Sequence, residues 1–523
     1  MTGDLVGAVT AFALAIEMLP RLSWHGLPRP DQERLLLEWN GLAGEACAAA
    51  VEAGLPQRAV ELLDAGRSIL WEQQLNLRRD ASTLAADRPD LASRLRDLCT
   101  SIRALEARSL TVDRLSARPR GQQPGSGGAG SSARMPLARR LDELIGEIRQ
   151  VDGYSGFWRI PPFADLAAAT EAGPVVLVNV SARRCDALIV RPGEVEVVPL
   201  PDLTLERADF ALSRQLRVTG AMRGYARLSS RQRVRLAQEL ADLLGYLWRA
   251  IAAPVLERLG IAASDGGWPR LWWCPTGPLS LLPLHAAQTY DPVRGRDIGV
   301  TDHVISSYTP SLRALRTASG GHPAQTQDGP MLVVAADEAG GAAALTYLQH
   351  EVAQTLLATS RPVSVLAGRE ATRQAVSAGL HHHRWLHFAG HSLQDLRHPG
   401  HSRLRLADGD LTLLEIAALE LRQAELAYLS SCEGGTGTQA LPDEAVHLAA
   451  ALQMAGFRHV VAAVWSIPDQ SAAAMASAVY QRLEDSAGSA FDWTVAEAVQ
   501  RAVRRLRSRY PPLTWAAYLH IGP

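Results

Sequence analysis

Hydrophobic positions along this 523-residue chain follow two periods, and the switch between them divides it. Over residues 1–118 apolar side chains recur at helical spacing, as in Leu35, Leu36, Leu37 and Leu42, then Ala59, Leu62, Leu63 and Leu70. That pattern predicts helix throughout. Ala53-Gly54-Leu55-Pro56 reads as a short turn between two antiparallel helices. Residues 121–134 (GQQPGSGGAGSSAR) are rich in glycine and serine, so 119–135 is expected to be a flexible linker. Helical sequence resumes at Pro136, within a connector over 136–172.

From Gly173 the period shortens. Val175–Val180, Ala187–Val190 and Val195–Leu200 are β-type runs between turn residues. A helical stretch follows over 203–259, then a buried strand at Arg270–Cys274. After about Gln327 strands are predicted at 331–335, 363–366, 384–389, 425–430, 459–465 and 515–521. Helices alternate with them at 346–358, 372–380, 413–421, 443–455, 471–484 and 495–507. Nearly all-apolar strands alternating with helices predict a parallel sheet covered on both faces. In such sheets functional residues lie beyond the carboxyl ends of the strands.

Charge narrows the function classes. The net charge is −1, which points to neither nucleic acid nor an anionic membrane. Arg223, Arg227, Arg231, Arg233 and Arg235 read as a solvated helix face, because no aromatic residues are interleaved as stacking platforms. All 53 basic residues are arginine, which excludes a P-loop lysine and a Schiff-base lysine. Cys47, Cys99, Cys185, Cys274 and Cys432 are few and scattered, without a CxxC. They predict free thiols in a reducing compartment. With no signal-peptide pattern and no apolar run approaching 18 residues, a cytoplasmic protein without a membrane span is expected.

Two of the predicted strands stop abruptly at reactive side chains. Leu386-His387-Phe388-Ala389-Gly390-His391-Ser392 ends on His391, and Leu429-Ser430-Ser431-Cys432-Glu433-Gly434-Gly435 ends on Cys432, 41 positions later. As adjacent parallel strands they would bring an imidazole and a thiol to one sheet edge, the arrangement of a cysteine nucleophile with a histidine base. The imidazole would raise the thiolate fraction of a thiol that otherwise titrates near pH ~8.5. The small residues around both let backbone N–H groups turn inward, and the amides of Ser392 and Cys432 are the expected oxyanion donors. Glu433 and the glycines after it predict a polar turn around the thiol rather than a core. His383, His387 and His391 are spaced by four. That spacing serves a metal on a helix, whereas on a strand the rings stand roughly 13 Å apart. His387 is therefore read as a core histidine, and no metal or other cofactor is expected. Glu433, Asp443 and Glu444 are candidates for a pocket that accepts a basic P1 side chain. Asp443 and Glu444 also suit the first turn of the helix predicted at 443–455, for capping and dipole reasons.

These strings resemble the paired histidine and cysteine motifs of CHAT domains, caspase-like cysteine peptidases often fused to tetratricopeptide repeats. Further stretches in the same order resemble that family: Trp273–His285, Ser307–Leu312, Asp443–Leu448, Ala455–Val461, Trp465–Asp469 and Trp515–Gly522. The turn at 53–56 is similar to a tetratricopeptide helix–turn–helix unit, although no clean repeat period is visible. The resemblance covers about Gly173 to Pro523. It implies an α/β caspase-like parallel-sheet sandwich, with an inactive half at 173–326, an active half at 327–523 and His391 and Cys432 as its dyad. It also implies cleavage of a protein substrate, regulated or recruited through helices 1–118 by a protein partner. Ser392 stands where the family commonly has glycine, and the QACRG string of caspases is absent, so aspartate specificity does not carry over. A catalytically silent scaffold and a thiol acyltransferase or amidohydrolase are the competing readings.

Overall fold

The apolar stripes of the first segment form helices: α1 (Leu5–Leu22), α2 (Arg29–Leu37), α3 (Leu42–Glu52), α4 (Pro56–Ala65), α5 (Ile69–Asn76), α6 (Ser82–Asp87) and α7 (Pro89–Leu115). The computed structural model describes residues 4–77, 82–115, 128–320, 329–336, 342–393, 402–430, 448–467, 469–486 and 491–523. The turn at 53–55 joins α3 to α4, with Pro56 at the first position of α4, where its missing N–H has no helical partner to lose. α8 (Gly128–Ile148) begins eight residues before Pro136, inside the segment expected to be linker. Two glycines and two serines in those eight residues, and Pro136 after them, are poor helix formers, so local propensity does not account for this start. α9 (Phe163–Ala167) closes the helical part.

α1 corrects one expectation. It spans 18 residues at a mean hydropathy of 1.6, long and apolar enough to cross a membrane by length and composition. Thr10, Glu17 and Arg21 interrupt the run to the eye without lowering its mean much. One stripe of it, Val9, Ala13, Ile16 and Leu19, is buried.

Among the described residues eleven strands form one continuous sheet. In the first half β1 (Val175–Asn179), β2 (Asp186–Arg191) and β3 (Glu194–Pro199) make an antiparallel meander. Helices α10 (Leu205–Met222), α11 (Ser230–Leu247) and α12 (Ala253–Leu259) lead to β4 (Arg270–Pro275). A separate hairpin, β5 (Gln288–Asp291) and β6 (Arg296–Gly299), precedes β7 (Ile305–Tyr308) and α13 (Leu312–Gly320). The second half runs β8 (Met331–Ala335), α14 (Ala342–Leu357), β9 (Val363–Ala367), α15 (Arg373–His382) and β10 (Trp385–Ala389). Three short strands follow, β11 (Ser392–Leu393), β12 (Arg403–Leu406) and β13 (Gly409–Thr412), forming a small sheet of their own. The chain then makes α16 (Leu413–Ala418), β14 (Leu426–Leu429), α17 (Leu448–Ala455) and β15 (His459–Ala463). It ends in α18 (Asp469–Asp485), α19 (Phe491–Arg507), α20 (Pro512–Trp515) and β16 (Tyr518–Ile521).

The sheet order is β3-β2-β1-β4-β7-β16-β15-β14-β10-β8-β9. The expected parallel core is present in each half, but β16 departs from it. It pairs parallel with β7 and antiparallel with β15. It also starts at Tyr518 rather than Trp515, because the Pro511-Pro512 pair opens a helical turn there. The strands of the two halves consequently point opposite ways, and their carboxyl rims lie at opposite edges of the sheet. The helical region covers one face of the first half. Ala46, Leu62 and Leu70 share a core with Val175, Leu188 and Trp272. Gly44 makes the approach possible, since a Cβ there would stand 2.7 Å from the Val180 carbonyl oxygen. Buried polar contacts lock it. Asp64 accepts from the Leu312 N–H at 2.6 Å and from Arg313 Nε at 2.6 Å.

Candidate active site

β10 is apolar and fully buried because it is the inner strand between β8 and β14. Its partners register Trp385 with Leu426 and Phe388 with Leu429 on one side, and Phe388 with Val334 on the other. Beyond Ala389 the burial ends, and His391 is exposed at the carboxyl rim. Gly390 lets the chain leave the strand there. The Ala336 N–H donates to the Ala389 carbonyl at 3.0 Å, and a Cβ on Gly390 would meet the Ala336 carbonyl oxygen at 2.9 Å. The His391 carbonyl is pinned on the other side by the Arg405 N–H at 2.9 Å. That bond comes from the β12–β13 hairpin, which the sequence reading missed. The alternation Arg403-Leu404-Arg405-Leu406 before Asp408-Gly409 was the available signal. Ser392 follows in β11, buried at 5% exposure and opposite Leu404.

The second motif leaves the same rim. The Ser430 N–H donates to the Phe388 carbonyl at 3.0 Å, so β14 continues beside β10 to its end. Cys432, Glu433, Asp443 and Glu444 lie outside the described residues.

The other four cysteines are all buried. Burial pushes the Cys47 thiol far up, with the Asp186 carboxylate adding to it. It pushes Cys99 up to about 11 and raises Cys185 and Cys274 as well. A thiol held in its neutral form and shielded from solvent is a poor nucleophile. Cys274 occupies the carboxyl end of β4, at the rim of the first half. Arg67 from the helical region fills that rim, donating to Cys274 Sγ at 3.2 Å and to the Pro275 carbonyl at 2.7 Å.

His387 is a core residue, 0% exposed. Its ring stacks on Tyr428 at 5.2 Å, lies 3.0 Å from the Tyr480 hydroxyl and 3.3 Å from Glu351 Oε1. Burial raises the Tyr428 and Tyr480 phenols well above their ordinary range. His383 turns to β9 instead, 2.9 Å from Ser364 Oγ. The three histidines spaced by four thus face three different surroundings.

The long helix α7 reaches the second half through an Arg103–Glu420 ion pair. Glu420 lies between α16 and the amino end of β14, at the edge opposite His391.

Comparison with known proteins places this architecture. Separase of Saccharomyces cerevisiae, crystallised with securin, superposes with a TM-score of 0.55 at 9% sequence identity, over 99% of this chain and 38% of that one. A second crystal of the same complex gives 0.55 at 10% identity, over 99% and 37%. This chain therefore spans well under half the length of the separase chains it matches, and the likeness is one of fold. The Arg-specific cysteine proteinase gingipain R gives a TM-score of 0.34 at 11% identity, over 55% of this chain and 67% of that one, too low to bear on the fold. No curated protein sequence matches the chain. The CHAT domain family model matches residues 241–523. That match covers more than half of the residues and takes in both motif strings, the rim at which β10 ends and β16, the strand that joins the two halves of the sheet. This chain belongs to the CHAT domain family.

Proposed function

We propose that the chain is a cysteine endopeptidase acting through His391 and Cys432. One observation carries the reading: His391 stands exposed at the rim of β10, and β14 is hydrogen-bonded to β10 as far as Ser430, two residues before Cys432. In this reading the His391 imidazole takes the Cys432 proton. The thiolate attacks the scissile carbonyl carbon, and the amides of Ser392 and Cys432 hold the oxyanion. When the C–N bond breaks, the imidazolium returns the proton to the leaving amine. Water, activated by the same ring, then hydrolyses the thioester. Glu433, Asp443 and Glu444 are proposed to accept a basic P1 side chain. Burial of every described cysteine, Cys47, Cys99, Cys185 and Cys274, supports Cys432 as the nucleophile.

A protein substrate, a cytoplasmic setting and a protein partner that acts through the helical region complete the proposal. Separase was crystallised in complex with securin, and α7 offers a physical link from the helices to the second half. The test is labelling by a thiol-directed acyloxymethyl ketone peptide carrying arginine at P1. Labelling of the native chain, lost in Cys432→Ala and reduced on the order of 10³-fold or more in His391→Ala, is the expected result. Equal labelling of all three would leave a silent scaffold.

A further inference from the structure

We propose that the outer edge of β9 is the docking surface for a second copy of this chain, the two β9 strands pairing antiparallel about a two-fold axis. Among the described residues the sheet has two outer strands, β3 and β9, and they are built differently. β3 carries Glu194 and Glu196 and ends in Pro199. Glu196 is engaged by Arg191 and Arg258. Charge and proline on an outer strand block edge-to-edge association. β9 reads Val-Ser-Val-Leu-Ala and carries neither. Ser364, Val365 and Ala367 are exposed, and α14, which leads into β9, ends with Leu357 at 81% exposure.

The ladder with β8 fixes which backbone groups point outward. The Met331 N–H donates to the Pro362 carbonyl at 2.9 Å. Alternation along a parallel strand then turns residues 362, 364 and 366 toward β8, and the N–H and C=O of Val363, Val365 and Ala367 away from it. In an antiparallel pair centred on Val365, that residue meets its own copy and Val363 meets Ala367 of the second copy. All three fall at hydrogen-bonded positions, so every outward group gains a partner, roughly six interchain bonds in all. The strand brings no like charges together, whereas a β3 pair would gather four carboxylates along one edge. Self-complementarity of this kind is what a closed two-fold interface requires. The inference stands whether or not the chain cleaves peptides.

Sedimentation of the full chain from low to high micromolar concentration tests it. The expected result is a reversible dimer. Val365→Pro removes an outward N–H without touching the β8 ladder, a position where an outer strand tolerates proline. Val365→Lys sets two cations on the two-fold axis. Both variants should sediment as monomers with an unchanged far-ultraviolet circular dichroism spectrum. In a Cys432→Ala background, Val365→Cys should oxidise to a covalent dimer. Val293→Cys, at a site 94% exposed on the β5–β6 turn, should not. A wild-type monomer throughout the range, a dimer that survives both Val365 substitutions, or crosslinking no faster at 365 than at 293 would overturn the proposal. So would a monomer that takes up only foreign peptide strands at this edge.

Discussion

Gly390 has the narrowest tolerance around the candidate site. A Cβ there would stand 2.9 Å from the Ala336 carbonyl oxygen and 3.2 Å from the Phe388 ring, and neither can retreat without disturbing the β8–β10 ladder. Gly390→Ala should therefore push the end of β10 outward and carry His391 with it. The expected cost is about 1–3 kcal/mol of stability, the usual penalty for overpacking. Displacing a base by even ~1 Å weakens catalysis on the order of 10²-fold, so probe labelling should slow by at least ~10-fold. Denaturant titration and labelling kinetics measure the two effects, and unchanged labelling would mean that the rim tolerates a methyl group. The two histidines of this motif were legible because strand burial explains them. His387 and His391 share a face by the period of two, yet one is buried and the other exposed because the sheet ends at Ala389. The need for glycine was less legible, since its steric partner comes from another strand far away in the chain.

Among the elements, long apolar runs and periodic helices could be read directly, and short polar ones could not. β8, β9, β10 and β15 lie where hydrophobicity put them, whereas the β12–β13 hairpin has only four residues a strand and two arginines in its first. Pairing partners were equally hidden: nothing local to Tyr518–Ile521 says that it runs against β15 and with β7. The helical region also proved more than a tether. It supplies one of the layers over the first half, and Asp64 is the pin, 2% exposed and bonded to Leu312 and Arg313. Asp64→Ala leaves the Arg313 guanidinium buried without its main carboxylate, which typically costs about 3–5 kcal/mol. Breaking the more exposed Arg58–Glu61 pair with Arg58→Ala should cost at most ~1 kcal/mol. Urea denaturation followed by tryptophan fluorescence compares them. If Asp64→Ala leaves the transition of the sheet in place, the helices are an appendage after all. Adding Arg313→Leu to Asp64→Ala should recover part of the loss, because the stranded charge is then gone.

At the scale of the whole molecule, the seam between the halves is a polar wire through an apolar sheet. Arg270 on β4 donates to Ser307 Oγ on β7 at 2.8 Å. The Ser307 hydroxyl lies 2.7 Å from His520 Nδ1 on β16, and His520 Nε2 lies 3.1 Å from His459 Nδ1 on β15. Ser307 accepts from Arg270 and either donates to or accepts from His520 Nδ1, and of the two facing nitrogens of His520 and His459 one donates to the other. Protonating both imidazoles would set N–H against N–H across the His520–His459 link. His285 joins the same seam, its Nε2 donating to the Ala516 carbonyl at 3.1 Å while its Nδ1 faces the Tyr308 hydroxyl at 2.9 Å. Burial lowers the His285 pKa to about 4, and burial, His459 and Arg270 hold His520 well below the ordinary histidine range. In the unfolded chain both would titrate near ~6.5. Between those values the unfolded state binds more protons than the folded one, so stability is complete above pH ~6.5 and falls as the pH drops below it. His285 alone should remove about 3 kcal/mol by pH ~4. His520 steepens the decline, because its proton would arrive beside Arg270. The wire crosses from one half to the other, so acid should part the halves before it melts either. The thermal midpoint should hold from pH ~8 to ~6.5 and then fall. His285→Gln, which keeps a donor for Ala516 but cannot titrate there, should make the fall shallower by one proton. An unchanged slope in that variant would place the acid sensitivity elsewhere than at the seam.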